Sequence, residues 1–252
     1  MRSTFIFIFL TMSLTIYSQS AQVIVQKADD NIKGPQVWSL STIQIVRNGN
    51  TLPLQRMEGY SMDINGQYHS LTVYLGPPRM KGTAYLMIED NLWVRFSSTG
   101  RVRKLSSSAK KNSAGGSDFS YNDMGDDNAG ISSKYRVRLA GEKKINKQNC
   151  YLIEMFPKNE KSSSYDKILA YISEKDFHYI QLDYYEAGAL IKTMTLNDYR
   201  SIDQKEYPYI ITMESHVKNS ITTITTESIE FNSPKVKSQM FSPSYIQNES
   251  IF

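Results

Sequence analysis

The chain has 252 residues, with 29 Lys and Arg against 25 Asp and Glu, which gives a net charge of +4. With 40% hydrophobic and 21% charged residues, it is neither a disordered polyelectrolyte nor a bundle of membrane helices. The single cysteine excludes an internal disulfide framework, and three dispersed histidines argue against a histidine-rich metal centre. We therefore expect neither a metal nor another cofactor.

Residues 1–20 have the pattern of a signal peptide. Arg2 precedes an apolar stretch, Phe5–Ile16, that is shorter than the roughly 20 residues a helix needs to cross a bilayer. Ser18 and Ser20 supply the small residues that a signal peptidase reads. The pattern predicts cleavage near Ser20 and an exported, water-soluble domain over residues 21–252; a short N-terminal anchor is the alternative.

The start of the mature chain predicts one helix followed by a β meander. Apolar residues recur at roughly helical spacing within residues 21–33, and Gly34 followed by Pro35 ends the helix. From Trp38 onward β-branched and aromatic residues dominate, and three tight-turn signals follow: Asn48-Gly49, Asn65-Gly66 and Asp90-Asn91. Turns this close together predict antiparallel pairing, because parallel strands need long crossovers.

Two segments break the strand pattern. The long connection at about residues 97–134 is rich in Ser, Gly and Asn, and its basic half precedes its acidic half. A connection of this length is typical of a lid or a binding loop, although a solvated loop remains open. The tail at about residues 232–252 carries two prolines, and we expect it to have little order.

Taken together, about eleven short strands and one helix predict a mainly β protein of the α+β class with a single curved antiparallel sheet. Strand alternation makes one face aliphatic and the other rich in Tyr, Met and Thr. Such a sheet could curl around an apolar ligand, or these side chains could be ordinary core packing. The residues that we predict near an apolar concavity are Trp38, Met57, Leu71, Val73, Leu86, Ile88 and Trp93.

Catalytic motifs are not found. Gly59-Tyr60-Ser61 lacks the second glycine of a nucleophile elbow, and Gly115-Gly116 lacks the lysine of a phosphate loop. The oxygen-rich residues 123–128 do not have EF-hand spacing, so a solvated acidic loop is the preferred interpretation. We expect no enzyme activity and no nucleic-acid binding; the basic stretch 95–111 suits an anionic lipid head group or an acidic partner better.

Four motifs resemble the outer membrane lipoprotein-sorting protein family, relatives of the periplasmic lipoprotein carrier LolA. They are the strand entry Pro78–Thr83, the Asp-to-Trp strand Asp90–Trp93, the basic stretch Arg101–Ser106 and the signature Gly116–Asp123. The resemblance implies a periplasmic protein with an incomplete antiparallel barrel wrapped around a helical lid. It also implies an apolar cavity for acyl chains.

Several functional expectations follow from this resemblance. The ligand would be the acyl chains of a lipid or lipoprotein, delivered by a monomer that docks on an inner- or outer-membrane transporter or receptor. The residues expected on the lid or at the ligand head group are Arg101, Arg103, Lys104, Phe119 and Tyr121. A non-catalytic envelope sensor or scaffold, which binds the periplasmic domain of a membrane protein, is the alternative.

Overall fold

The computed structural model describes residues 14–124, 134–159 and 163–248, with side chains from residue 21 onward. The first thirteen residues of the predicted signal peptide therefore lie outside the described residues, as do residues 125–128 of the acidic stretch. Residues 129–133 of the long connection and 249–252 of the tail lie outside them as well. Helix α1 (Leu14–Ile32) ends before Gly34-Pro35, as expected, but begins seven residues before Ala21. No Gly or Pro interrupts this stretch, so the helix continues through it. In the described part, no helix is both long and apolar enough to cross a membrane.

One antiparallel sheet contains all fourteen strands of the described chain. The strands are β1 (Gln36–Arg47), β2 (Asn50–Thr51), β3 (Gln55–Ile64), β4 (Gln67–Gly76), β5 (Ala84–Ile88), β6 (Asn91–Arg95), β7 (Val102–Lys104), β8 (Tyr135–Ile145), β9 (Gln148–Pro157), β10 (Lys167–Ser173), β11 (Tyr179–Glu186), β12 (Ala189–Ile202), β13 (Lys205–Ser215) and β14 (Ser220–Phe231).

Two meanders form this sheet. The spatial order runs β7-β6-β5-β4-β3-β1-β14-β13-β12-β11-β10-β9-β8, and β2 pairs only with β1. The first and last long strands, β1 and β14, therefore meet in the middle, and the sheet is open at β7 and β8. The predicted single antiparallel sheet is confirmed. Its strand count is higher than the expected eleven, in part because β2 and β7 are too short to show periodicity.

Two of the three predicted hairpin turns form where the sequence places them, and the third forms one residue earlier, at Glu89-Asp90, because Asn91 already belongs to β6. Asn48 and Gly49 have φ of 50° and 78°, and Asn65 and Gly66 have φ of 56° and 79°. Two successive positive φ values match the right-handed twist of the flanking strands, and Asn-Gly adopts them at low cost. The first turn sets the pairing of β1 with β2, and the second sets the register in which β3 pairs with β4.

Each face of the sheet is covered by a different part of the chain. Helix α1 and the cover segment (residues 105–124) pack on the inner face, where Val25 and Phe119 join the largest apolar cluster. The C-terminal segment (residues 232–248) packs on the outer face with Val236, Met240, Phe241 and Ile246. Both faces are thus apolar, as the alternation of side chains predicts.

The C-terminal segment is ordered, which corrects the expectation of a loose tail. It contains a 3-10 turn at Ser238–Met240 and a short helix, α2 (Pro243–Gln247), which is capped by the Ser242 hydroxyl. Gln36 donates to the carbonyl oxygens of Ser233 and Val236 at 2.7 and 2.8 Å. The prolines allow these turns, because Pro at the start of a helix has no N–H to leave unsatisfied.

Candidate functional site

A groove lies on the inner face above strands β1, β3 and β4. Its floor is built from small side chains, and Ser39, Gly59 and Thr72 stand opposite one another in one row across the three strands. Ser61 and Ser70 face each other in the next row. Because these side chains are short, a ligand can approach the backbone of the sheet closely here. Space also remains between the sheet and its cover.

The walls of the groove are apolar. Met57 contributes from β3, Ile211 from β13 and Ile224 from β14, while Met124 reaches in from the cover segment. A smaller space of about 20 Å³ adjoins it and shares Ile211; Ile32 at the end of α1 closes this space. Methionine side chains suit such a wall because their flexible thioethers adapt to irregular contacts.

The groove is narrow in this arrangement. Its free volume is about 80 Å³, whereas pockets for drug-sized ligands hold roughly 300–1,000 Å³. A long hydrocarbon chain therefore fits only if α1 or the cover segment moves away from the sheet.

The cover segment is fastened to the sheet by Asp118. The backbone N–H of Asp118 donates to Thr222 Oγ1 at 2.9 Å, and the Thr222 hydroxyl donates to Asp118 Oδ2 at 2.7 Å. The Ser220 hydroxyl donates to the other carboxylate oxygen. Asp118 is buried, so these bonds replace the water that its charge would otherwise require.

A second fastening point is Asp123, at the end of the cover segment. Its carboxylate accepts a hydrogen bond from the Tyr165 hydroxyl at 2.7 Å and lies 3.2 Å from Lys192 Nζ. Burial raises the pKa of Tyr165 well above its usual value, and the negative charge of Asp123 raises it further. The tyrosine therefore remains a neutral donor to this carboxylate.

Helix α1 is held to the other half of the sheet by Asp29. The Tyr179 hydroxyl donates to Asp29 Oδ1 at 2.8 Å, and Lys33 Nζ lies 3.6 Å from the same carboxylate. Burial raises the pKa of Tyr179, and the charge of Asp29 raises it further. The inner face thus has two covers, each attached by apolar packing and a few buried polar contacts.

The predicted cavity residues do not all lie at this groove. Met57 and Leu71 line it. Six of the seven, Leu71 among them, belong to the outer-face cluster beneath the C-terminal segment: Trp38, Leu71, Val73, Leu86, Ile88 and Trp93. Leu71 and Val73 also line an outer-face cavity of about 200 Å³, whose edge carries Glu58 and Lys81. Whether any of the seven contacts a ligand stays a prediction.

The residues expected on the lid or at a head group divide into two groups. Arg103 and Lys104 belong to the edge strand β7, with Arg101 just before it, so this part of the long connection extends the sheet. Lys104 Nζ lies 5.2 Å from the ring of Trp93. Phe119 is fully buried and Tyr121 packs edge-on against Tyr85 at 5.0 Å, both within the cover segment.

Sequence reasoning missed the floor of the groove and the residues that fasten its cover. Ser39 and Ser41, and Gly59 and Ser61, recur with a period of two, which could have indicated an inner face with free space. Asp118 and Asp123 gave no such signal, because their partners are distant in sequence. The structure buries both carboxylates, so the expected solvated acidic loop is wrong for Asp123.

Within the described chain, no group of three His, Cys, Asp or Glu side chains could hold a metal ion.

Comparison with known proteins identifies the fold. A crystal structure of an outer membrane lipoprotein-sorting protein domain from Vibrio parahaemolyticus matches with a TM-score of 0.83 and 21% identity, over 92% of this chain and 100% of that chain. A DUF1329 family protein from Desulfovibrio piger matches with a TM-score of 0.85 and 22% identity, over 91% and 99%. A LolA superfamily protein from Nitrosomonas europaea matches with a TM-score of 0.75 and 21% identity, over 89% and 98%.

The sequence comparisons give the family. No curated protein matches the chain. A family model with the description "Uncharacterized protein" matches residues 66–248, which is more than half of the chain. The chain therefore belongs to the family of that model, and it has the fold of the LolA superfamily and of outer membrane lipoprotein-sorting proteins, as its motifs between Pro78 and Asp123 predict.

Proposed function

We propose that the protein is a non-catalytic periplasmic carrier that holds the acyl chains of a lipid or lipoprotein on the inner face of its sheet. The observation that carries this proposal is the floor of small side chains between apolar walls, beneath a separate cover segment. A sheet that only needed a packed core would have large side chains in the row formed by Ser39, Gly59 and Thr72.

The fold supports this proposal. The relative from Vibrio parahaemolyticus is described as an outer membrane lipoprotein-sorting protein domain. The export signal predicted in residues 1–20 agrees with a periplasmic location. By analogy of fold, the cargo would be carried between membranes as part of lipoprotein sorting or lipid transport.

The energetics favour binding by burial of hydrocarbon. Each methylene group removed from water contributes about 0.8 kcal/mol, so a chain of a dozen methylenes gains several kcal/mol even after the cover has been displaced. The cover segment and α1 compete with the ligand for the same apolar surface, and this competition would make release possible at a docking partner.

The proposed roles of the predicted residues follow from their positions. Met57 contacts the acyl chain in the groove, and Phe119 and Tyr121 move with the cover segment. The six outer-face residues, from Trp38 to Trp93, hold the C-terminal segment and so stiffen the wall of the groove. Arg101, Arg103 and Lys104 lie at the exposed sheet edge, where a negatively charged membrane or docking partner would meet them.

Filling the groove tests the proposal. Thr72 is half-buried on its floor, so the Thr72→Phe variant would occupy the space while leaving the cover in place. We expect affinity for a fluorescent fatty-acid probe to fall at least about tenfold. A tenfold loss of affinity corresponds to only about 1.4 kcal/mol of binding free energy. Mass spectrometry of organic extracts should also find lipid in the purified wild-type protein and less in the variant.

Thr225→Phe is the matched control. Thr225 is exposed on the opposite face of β14, so the same substitution adds the same bulk outside the groove. We expect this variant to bind the probe as the wild type does. Equal probe affinity in both variants, with no co-purifying lipid, would contradict the carrier and favour the non-catalytic scaffold.

A further inference from the structure

Two buried hydroxyl groups in the groove have no hydrogen-bond partner within the described chain. Ser41 on β1 and Thr226 on β14 line the groove, and each is only 5% exposed. Ser220 and Thr222, on the same face of β14, both donate to Asp118. No described residue forms a hydrogen bond with the hydroxyl of Ser41 or Thr226. A buried polar group without a partner is costly, and a ligand that bonds to it would remove this cost.

The two hydroxyl groups stand side by side. Ser41 and Thr226 are opposite residues of the antiparallel pair β1 and β14. Their Cβ atoms are therefore about 4.5–5.5 Å apart, as in any such pair. A carbonyl oxygen has two lone pairs and accepts hydroxyl donors at about 2.8 Å, so one oxygen between the two residues can accept from both. The spacing thus suits a single carbonyl group.

A β-bulge beside this pair keeps a charge away from the groove. The register of β1 and β14 shifts between Leu40 and Ser41, and Glu227 is the extra residue on β14. Glu227 is exposed and lies 2.8 Å from Arg56 Nη2, so Thr226 rather than a carboxylate stands opposite Ser41. The described lining of the groove includes no charged side chain. A ligand group buried here should therefore be uncharged.

An apolar path leads away from the two hydroxyl groups. Ile224 lies two residues before Thr226 on the same face of β14, and Ile211 stands opposite Ile224 on β13. Ile211 also lines the smaller space that Ile32 closes at the end of α1. A hydrocarbon chain that begins at the hydroxyl groups would run over these isoleucines toward α1.

We propose that Ser41 and Thr226 bind the carbonyl oxygen of an uncharged acyl linkage, an ester or an amide, whose chain runs toward α1. The inference rests on the proposed function and adds the chemical group that the groove recognises and the direction of the chain. A free fatty acid would bring a carboxylate to a lining that has no described counter-charge. We therefore expect esters or amides to bind more tightly than the free acid of the same length.

Competition against the fluorescent fatty-acid probe tests this inference with three uncharged ligands of one chain length. Methyl laurate supplies an ester and N-methyl lauramide an amide, whereas dodecyl methyl ether keeps the chain but has no carbonyl group. We expect the ester or the amide to bind the wild-type protein at least about fivefold more tightly than the ether, because the two hydroxyl groups donate to the carbonyl oxygen. The tighter of the two carbonyl compounds identifies the linkage.

The double variant Ser41→Ala/Thr226→Val removes both hydroxyl groups and nearly keeps the side-chain volumes. It should weaken binding of the ester or amide at least about fivefold and change binding of the ether by less than about twofold. Its urea midpoint should equal or exceed that of the wild type, because unpaired buried hydroxyl groups cost stability. A lower midpoint would contradict the inference, since it would give these groups a structural role.

Thr225→Val is the matched control. Thr225 is exposed on the opposite face of β14, so the same chemical change takes place outside the groove. We expect this variant to bind all three compounds as the wild type does. A loss of ester binding in Thr225→Val equal to that in the double variant would overturn the assignment of the carbonyl to the groove.

The outcomes separate this inference from the carrier proposal. If the ether binds as tightly as the ester and the amide, the hydroxyl groups face only water, and the inference is overturned while the carrier stands. The same conclusion follows if the probe binds and none of the three compounds displaces it. If neither the probe nor any of the three compounds binds, the carrier proposal fails and this inference fails with it.

Discussion

At the scale of single residues, Asp123 carries the most consequential contacts of the inner face. Its carboxylate is buried and holds the end of the cover segment through Tyr165 and Lys192. A buried ion pair contributes little net stability compared with an apolar pair of the same shape. Removing one partner is nevertheless costly, because the other charge remains in the interior.

The first prediction concerns this ion pair. Asp123→Asn should lower the free energy of unfolding by about 3–5 kcal/mol, because it leaves the ammonium of Lys192 without its counter-charge. Urea denaturation monitored by circular dichroism measures this loss. The double variant Asp123→Leu/Lys192→Met should recover much of it, since neither charge remains.

An exposed pair provides the control. Arg200 donates to Asp198 on the surface of β12, and Asp198→Asn should change the free energy of unfolding by at most about 1 kcal/mol. A cost for Asp123→Asn no greater than that of Asp198→Asn would show that the buried pair does not fasten the cover segment.

Residue-scale features were the hardest to predict from the sequence. Thr222 lies 104 positions from Asp118, and Lys192 lies 69 positions from Asp123. No local spacing links such partners, and without them an acidic stretch is expected to be solvated.

At the scale of elements, the C-terminal segment determines the state of the outer face. Phe241 is buried against His69, with ring centroids 5.8 Å apart, and Lys235 Nζ lies 3.3 Å from the ring of Trp38. Gln247 in α2 also bonds to the edge of the sheet, since it accepts from the N–H of Val102 at 3.2 Å. The segment thus covers Trp38 and ties the edge strand β7 to the rest of the sheet.

The second prediction concerns this segment. Phe241→Ala should lower the free energy of unfolding by about 3–5 kcal/mol, since it removes a buried aromatic side chain and leaves a cavity. The chain has two tryptophans, Trp38 and Trp93, and both belong to the outer-face cluster. We therefore expect a red shift of tryptophan emission in this variant as water reaches the cluster.

Ser244→Ala is the control for the C-terminal segment. Ser244 is exposed within the same short helix, so its substitution should leave both the stability and the emission spectrum nearly unchanged. An unshifted emission in Phe241→Ala would mean that the segment does not shield the tryptophans.

Element prediction succeeded where the chemistry is local. Asn48-Gly49 and Asn65-Gly66 form the turns that their backbone preferences require. Element prediction failed where a strand is too short to show a period or where both of its faces are apolar. Strand β7 has three residues, too few for a period, and β4 carries apolar side chains on both faces. The sequence pattern therefore separated the two faces but could not show which one received α1 and which one received the C-terminal segment.

At the scale of the whole molecule, buried tyrosines link stability to pH. Burial raises the pKa values of Tyr179, Tyr165 and Tyr199, and nearby carboxylates raise them further. A raised pKa in the folded state means that the unfolded chain loses the proton first. The stability from these groups is therefore fully present below about pH 10, the ordinary pKa of tyrosine, and is lost as pH rises above it.

The third prediction follows from this coupling. We expect the free energy of unfolding to begin to fall above about pH 10, by up to roughly 1.4 kcal/mol per pH unit for each tyrosine that ionises only on unfolding. Tyrosinate absorbance and circular dichroism should then change together in one transition. The chain unfolded in urea is the control, and its tyrosines should titrate near their ordinary pKa. Full ionisation before any loss of structure would contradict the burial of these hydroxyl groups.

The pairing of β1 with β14 determines the order in which parts of the sheet can fold. Val37 stands opposite Phe231, so the residues that join the two meanders are separated by most of the polypeptide. Each meander can form from neighbours in sequence, but β1 can pair with β14 only after β14, the last strand of the described chain, has been synthesised. Contacts between such distant residues slow folding, because a long loop must close before they are made. A chain whose synthesis is incomplete would therefore present the unpaired edge of β1, and its risk of aggregation would depend on how quickly β14 pairs with that edge.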